Sequence, residues 1–184
     1  MLIRAPRIEQ AKGAVTRAGD YVSLEGKGAV RTAALQGKTV KITGYDIVLD
    51  GNVRADGDVA ITTVDNRVCD EMCTMEFREG KITQNANVTS VGGDVAFKGY
   101  TTVKWPGFTS IAGSGSLLQN AAAQTRAAGT VTVDTDSASV GNIQAGKAIV
   151  VNAPQTTLTG RLVAPVITLP PGALNTEGNV RLKR

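Results

Sequence analysis

The sequence contains no histidine. That removes the commonest general base and the commonest metal ligand. A Ser-His-Asp or Cys-His catalytic set therefore cannot be assembled, and neither an enzyme nor a cofactor is expected. Aromatic residues make up only 4% of the chain, against 21 glycines. A core here must be filled by Val, Ile, Leu and Ala, which favours thin, regular packing of β-branched side chains. No apolar run approaches the roughly 20 residues of a membrane span. The apolar part of the opening MLIRAPRIEQ is too short for a secretory signal, so a cytoplasmic protein is expected.

What is present fits one ordered domain. The chain has 184 residues, 42% hydrophobic and 20% charged, with a net charge of +4. Much of the surplus sits at the ends: Arg4, Arg7, Lys12 and Arg17 against Glu9, then Arg181, Lys183 and Arg184. Such ends suit solvated termini or contact with an anionic surface. The basic residues are not interleaved with aromatics as in single-strand binders, so no nucleic acid partner is expected.

The strongest signal is periodic. Two apolar residues flanking an outward one, the minimal strand pattern, recur at Val22/Leu24, Val40/Ile42, Val59/Ile61, Met75/Phe77, Val95/Phe97, Val131/Val133, Ile149/Val151 and Ile167/Leu169. The steps between successive well-aligned pairs are 18 or 19 residues, or 36, which reads as two steps of 18. Met75/Phe77 is displaced by two from its ideal place in that series. A second marker, Gly followed by Asn or Arg and an aliphatic residue, recurs at Gly51-Asn52-Val53, Gly141-Asn142-Ile143, Gly160-Arg161-Leu162 and Gly178-Asn179-Val180.

This period is too short for a pair of helices. Gly and Asn recur where the chain must turn, both tolerating positive φ. Short strands between such corners wind into a coil with about three faces, each laid on the preceding coil as a parallel sheet. The expected fold is an all-β, right-handed parallel β-solenoid of about ten coils with ~18-residue triangular repeats. Right-handed winding is favoured because the strict hexapeptide of left-handed solenoids is not kept. The expected organisation is a basic segment or cap at 1–14 and a solenoid over 15–184, with irregular insertions at 69–76 and 104–129. Ser116 to Ala128 reads as a short helix ended by Gly129, or as a wide, weak coil.

The tract from Gly141 to Val180, with its Gly172-Ala173 and Gly178, resembles bactofilins, bacterial cytoskeletal proteins that polymerise. It is also similar to the 19-residue repeats of filamentous-haemagglutinin-type solenoids. The bactofilin resemblance implies nucleotide-free filaments built by end-to-end stacking, a homopolymer acting as a scaffold near the membrane. Met1, Leu2, Ile3 and Arg4 would then be the candidate membrane contact. The alternative is an adhesin or phage-fibre-like binding module whose solenoid presents loops to a partner.

Assembly is also argued from the residues. A solenoid end is an open sheet edge, which invites pairing unless blocked or capped. Val180 and Leu182 lie in strand phase close to the carboxyl end of the sequence and are the candidate polymer interface. Thr132, Ala148, Val150, Val166 and Thr168 occupy outward positions and form a candidate lateral stripe. Cys69 and Cys73, with Met72 and Met75 nearby, are weak candidates for a soft metal, for a disulfide, or for two reduced thiols at a corner. Asp46 with Asp50, Asp56 with Asp58, and Asp134 with Asp136 are carboxylate pairs, but their Gly-rich surroundings are ordinary turn chemistry.

Overall fold

Apolar and polar residues alternate over short stretches between corners marked by Gly, Asn and Asp, and the chain answers with strands of two to six residues. The computed structural model describes residues 1–64, 68–69, 75–76, 79–99, 101–105, 108–112 and 115–175. Among them there is no helix, and three parallel sheets make up the body of the molecule. This is a parallel β-solenoid.

Each coil contributes one strand to each sheet in turn, the eighth giving described strands to sheets A and B alone. Sheet A stacks Leu2–Ala5, Tyr21–Gly26, Thr39–Gly44, Val59–Thr63, Val95–Lys98, Thr130–Asp134, Ala148–Asn152 and Val166–Thr168. Sheet B stacks Ile8–Glu9, Val30–Thr32, Asp46–Leu49, Gly80–Gln84, Gly115–Gln119, Ser137–Val140, Gln155–Leu158 and Leu174–Asn175. Sheet C stacks Val15–Arg17, Ala34–Gly37, Val53–Ala55, Val88–Ser90, Gln124–Ala127, Asn142–Ala145 and Leu162–Val163. The stack of described strands is about 34 Å long at the usual interstrand spacing.

The core is a set of columns in which like lies on like. Val22, Val40, Val59, Val95, Val131, Ile149 and Ile167 are successive register partners. Leu24, Ile42, Ile61, Phe97, Val133 and Val151 form the adjoining column. All of these but Ile167 are buried. One coil cannot hide its own apolar side, so stability comes from each coil covering its neighbour.

The described residues form eight coils, not ten. Val95 pairs directly with Val59, and Val131 directly with Val95, so each 36-residue step is a single coil. The remaining residues form excursions at the corner between sheets A and B. The first, residues 64–79, carries an antiparallel pair, Val68–Cys69 with Met75–Glu76. The second, residues 99–114, carries Thr101–Trp105 paired antiparallel with Phe108–Ala112. The insertions thus lie at 64–79 and 99–114, not at 69–76 and 104–129. Met75 belongs to a hairpin and is no member of the core column, while Phe77 lies outside the described residues.

Ser116 to Ala128 is neither helix nor weak coil. Gly115–Gln119 and Gln124–Ala127 take ordinary places in sheets B and C. Leu117, Ala123, Thr125 and Ala127 point inward and are buried. The strand signal is weak there because the inward partner of Leu117 is Gln119. At the other end, residues 1–14 contain two strands that pair in parallel with the second coil, Leu2–Ala5 with Tyr21–Gly26 and Ile8–Glu9 with Val30–Thr32.

The recurrent corner glycines serve close approach, not unusual backbone angles. Among the described glycines only Gly13 and Gly172 have positive φ. At Gly160 an added Cβ would come within 2.5 Å of the Gly141 carbonyl carbon and 2.8 Å of the Asn142 nitrogen. Gly51 likewise meets the backbone of Ala33 and Ala34. At this corner one coil lies backbone on backbone against the next.

Candidate functional site

The amino-terminal end of the solenoid is the first candidate surface. Among the described residues no strand lies beyond the first coil. Ile3, Ala5 and Ala18 pack only partly buried against the core, and Val15 is 54% exposed. Met1, Leu2, Ile3 and Arg4 are held in sheet A and do not form a free tail. The Met1 ammonium donates to the Tyr21 carbonyl at 2.6 Å, and the Ser23 N–H donates back to the Met1 carbonyl at 2.9 Å. Met1 and Leu2 remain exposed.

Charge lies around this end. Arg4 Nε donates to Glu25 Oε2 at 2.6 Å, and Arg7 is ion-paired with Glu9 at 3.0 Å. The Arg4 hydrogen bond holds the Glu25 carboxyl below its ordinary value of 4.5. Both pairs are at the surface, where such contacts contribute little to stability.

At the opposite end, Val180 and Leu182 lie outside the described residues. The last described strands there are Val166–Thr168 and Leu174–Asn175.

The lateral stripe is a contiguous patch in the structure. Thr132, Val150 and Thr168 are successive register partners on the outer face of sheet A. Ala148 and Val166 lie in the adjoining column. The patch is nearly uncharged, and Val166, 55% exposed, is its most open aliphatic residue.

Cys69 stands in the first hairpin, opposite Met75. Cys73 lies outside the described residues. No cluster of three metal-ligating side chains occurs among the described residues. The carboxylates are used in turns and ladders. Asp50 pairs with Arg31 at 3.1 Å and accepts from Asn85 Nδ2 at 2.6 Å. Asp58 accepts the Asp94 N–H at 2.8 Å, and Asp94 accepts the Thr130 N–H at 2.7 Å.

Two features escaped the sequence reading. One is a polar patch inside the solenoid, where Gln84 and Gln119 are register partners and both buried. Gln84 donates to the Ala86 and Gln124 carbonyls at 3.0 and 3.2 Å and accepts from Thr125 Oγ1 at 3.1 Å. Gln119 donates to the Asn142 carbonyl at 3.1 Å and accepts the Gly141 N–H at 2.9 Å. Just outside, Asn85 is hydrogen-bonded to Asp50 and Asn120 to Asn85. The signal was the recurrence of Gln84-Asn85-Ala86 as Gln119-Asn120-Ala121.

The other feature is the placement of the hairpins. They leave consecutive coils at the same corner, between sheets A and B. Each excursion closes at its base. An added Cβ on Gly80 would lie 2.7 Å from Thr63 Cβ, and one on Gly115 would collide with Gly99.

Comparison with protein-family models, with characterised proteins and with solved structures returns no match. No helix among the described residues is long and apolar enough to cross a membrane.

Proposed function

We propose that this chain is a structural building block that assembles end to end, without nucleotide, into filaments of stacked solenoids. The reading follows the resemblance to bactofilins, with a scaffold near the membrane as the corresponding role. The observation that carries it is the uncovered first coil. Three strand edges and the partly exposed Ile3, Ala5 and Ala18 stand at one end with nothing laid on them among the described residues. A second copy seated there would extend all three sheets at once and bury those side chains. Val180 and Leu182 are the proposed contacts from the opposite end, and the sheet A stripe a proposed lateral contact.

A second reading rests on the two hairpins. Excursions from consecutive coils at one corner are the arrangement of a binding module, in which a rigid rod presents paired loops.

Negative-stain microscopy of the purified chain without nucleotide separates the readings. Long thin fibres are expected, with Ile3→Lys abolishing them while the β-type circular dichroism spectrum is kept. An inward charge at a strand edge is a natural block to pairing. Discrete short rods from the unaltered chain would reject end-to-end assembly and leave the binding module.

A further inference from the structure

The outer face of sheet C carries a ladder that the filament reading does not use. Arg17, Gln36, Arg54, Thr89, Arg126 and Gln144 are successive register partners along a single column. Arginine recurs at every second coil, and an amide or hydroxyl side chain lies between. Two interstrand steps separate successive guanidinium positions, about 9.6 Å. The described strands of this sheet contain no Asp or Glu and no aromatic residue.

The three arginines are exposed. None of them is in an ion pair among the described residues; Arg126 donates to Gln124 Oε1 at 2.9 Å. Shallow grooves flank Arg126 on both sides. One is lined by Ser90, Ala128 and Pro165, the other by Asn142 and Arg161. The nearest acids lie at the corner towards sheet A. Asp20, Asp56, Asp58 and Asp94 are all exposed there and oppose an anionic ligand at that edge, although Asp58 and Asp94 each also accept a backbone N–H of the next coil; none of the four stands in the arginine column itself.

We infer that sheet C is a docking face for a linear acidic polysaccharide lying parallel to the solenoid axis. A guanidinium presents a planar fork that matches a carboxylate. Amide and hydroxyl groups between the arginines match sugar hydroxyls. In an extended uronate chain, carboxylates return to the same side at every second sugar, as arginine returns at every second coil. A single-stranded nucleic acid would need aromatic platforms for its bases, and this face has none. A straight column also follows a duplex backbone poorly, because that backbone winds away from it.

The inference does not depend on end-to-end assembly, and its test reads binding alone. The unaltered chain is passed over immobilised polygalacturonate at low ionic strength, with a neutral glucan and an oligothymidylate as comparisons. Retention by polygalacturonate alone is expected. Combined Arg17→Gln, Arg54→Gln and Arg126→Gln is expected to weaken it by about tenfold or more. Removing the same charge elsewhere, by Lys41→Gln, Lys81→Gln and Lys98→Gln, should leave most of it. Circular dichroism melts check that both variants fold. As a measure free of substitutions, affinity for oligogalacturonates should rise in steps of two sugars. No retention of the unaltered chain, equal loss in the two triple variants, or equal retention by the oligothymidylate would each overturn the inference.

Discussion

Val95 is the register partner of Val59 in the adjacent strand of sheet A, although the two lie 36 residues apart, like the neighbouring Asp58 and Asp94. Val131 repeats the relationship with Val95. A step of that length advances the solenoid by one coil because residues 64–79 and 99–114 leave the corner and return to their point of departure. Contact of Gly80 with Thr63, and of Gly115 with Gly99, closes each excursion at its neck.

It follows that each hairpin is dispensable for the coil that bears it. In the third coil a single residue, Tyr45, joins Gly44 of sheet A to Asp46 of sheet B. Thr63 is the register partner of Gly44 and Lys81 of Asp46, so deleting residues 64–79 leaves Gly80 as the single joining residue and should give a folded protein with stability within about 1 kcal/mol of the parent, since loop length carries only a slowly growing entropic cost. Urea denaturation followed by circular dichroism measures this. Loss of the cooperative transition would mean that the hairpin is part of the fold.

The same relationship explains what could be read in advance. Val131, Ile149 and Ile167 are a column because inward aliphatic residues recur at a constant step, and that signal survives in the sequence. The hairpins do not show, because each is nearly one coil long and leaves the phase of the repeat unchanged. A stretch that preserves phase reads as two coils. Strand placement around Gln119 was hidden for a different reason: its inward position is polar, and its shortest hydrogen bonds are to the Gly141 N–H and the Asn142 carbonyl of the next coil. On the candidate surfaces, outward positions such as Thr132 and Val150 could be read from alternation. The column of Arg17, Arg54 and Arg126 could not, because uneven coil lengths hide the alignment until strand register is known.

The glycines separate two kinds of requirement. Gly13 has φ of 83° and nothing within 4 Å of an added Cβ, so Gly13→Ala costs only backbone strain, about 1 kcal/mol. Gly115 is confined by the Gly99 backbone, which cannot rotate aside as a side chain can. Gly115→Ala should cost about 3 kcal/mol or more, through overpacking. Urea melts of the two variants give the comparison. Equal costs would show that the two coils part easily at this corner.

Glu25 supplies a pH test. The bond from Arg4 holds its folded-state titration below the ordinary 4.5. A carboxylate lowered in this way contributes stability that is present above 4.5 and lost as pH falls through the lowered value. Arg4→Gln should move the Glu25 midpoint upward, towards 4.5, while stability near neutrality hardly changes, because the pair is at the surface. Carboxyl titration by NMR reads the midpoint. A midpoint unmoved by the substitution would assign the shift to another neighbour.

One interior column tests how polar groups are tolerated inside the solenoid, and the signs differ along it. Thr32 pairs with Leu49, Leu49 with Gln84, and Gln84 with Gln119. The Thr32 hydroxyl is buried and has no hydrogen-bond partner, so Thr32→Val removes a desolvated group at nearly constant shape. A gain of about 1 kcal/mol is expected. Gln119, by contrast, accepts the Gly141 N–H and donates to the Asn142 carbonyl. Gln119→Leu leaves that buried N–H without its acceptor and should cost about 1–3 kcal/mol. Thr125 Oγ1 donates to Gln84 Oε1 at 3.1 Å and lies 3.4 Å from Gln119 Nε2. A cycle of Gln84→Leu and Gln119→Leu, singly and together, should therefore be non-additive. Urea denaturation of the four proteins in that cycle, and of Thr32→Val, supplies the numbers. Strict additivity would show that the glutamines act as separate hydrogen-bonding groups and not as a network.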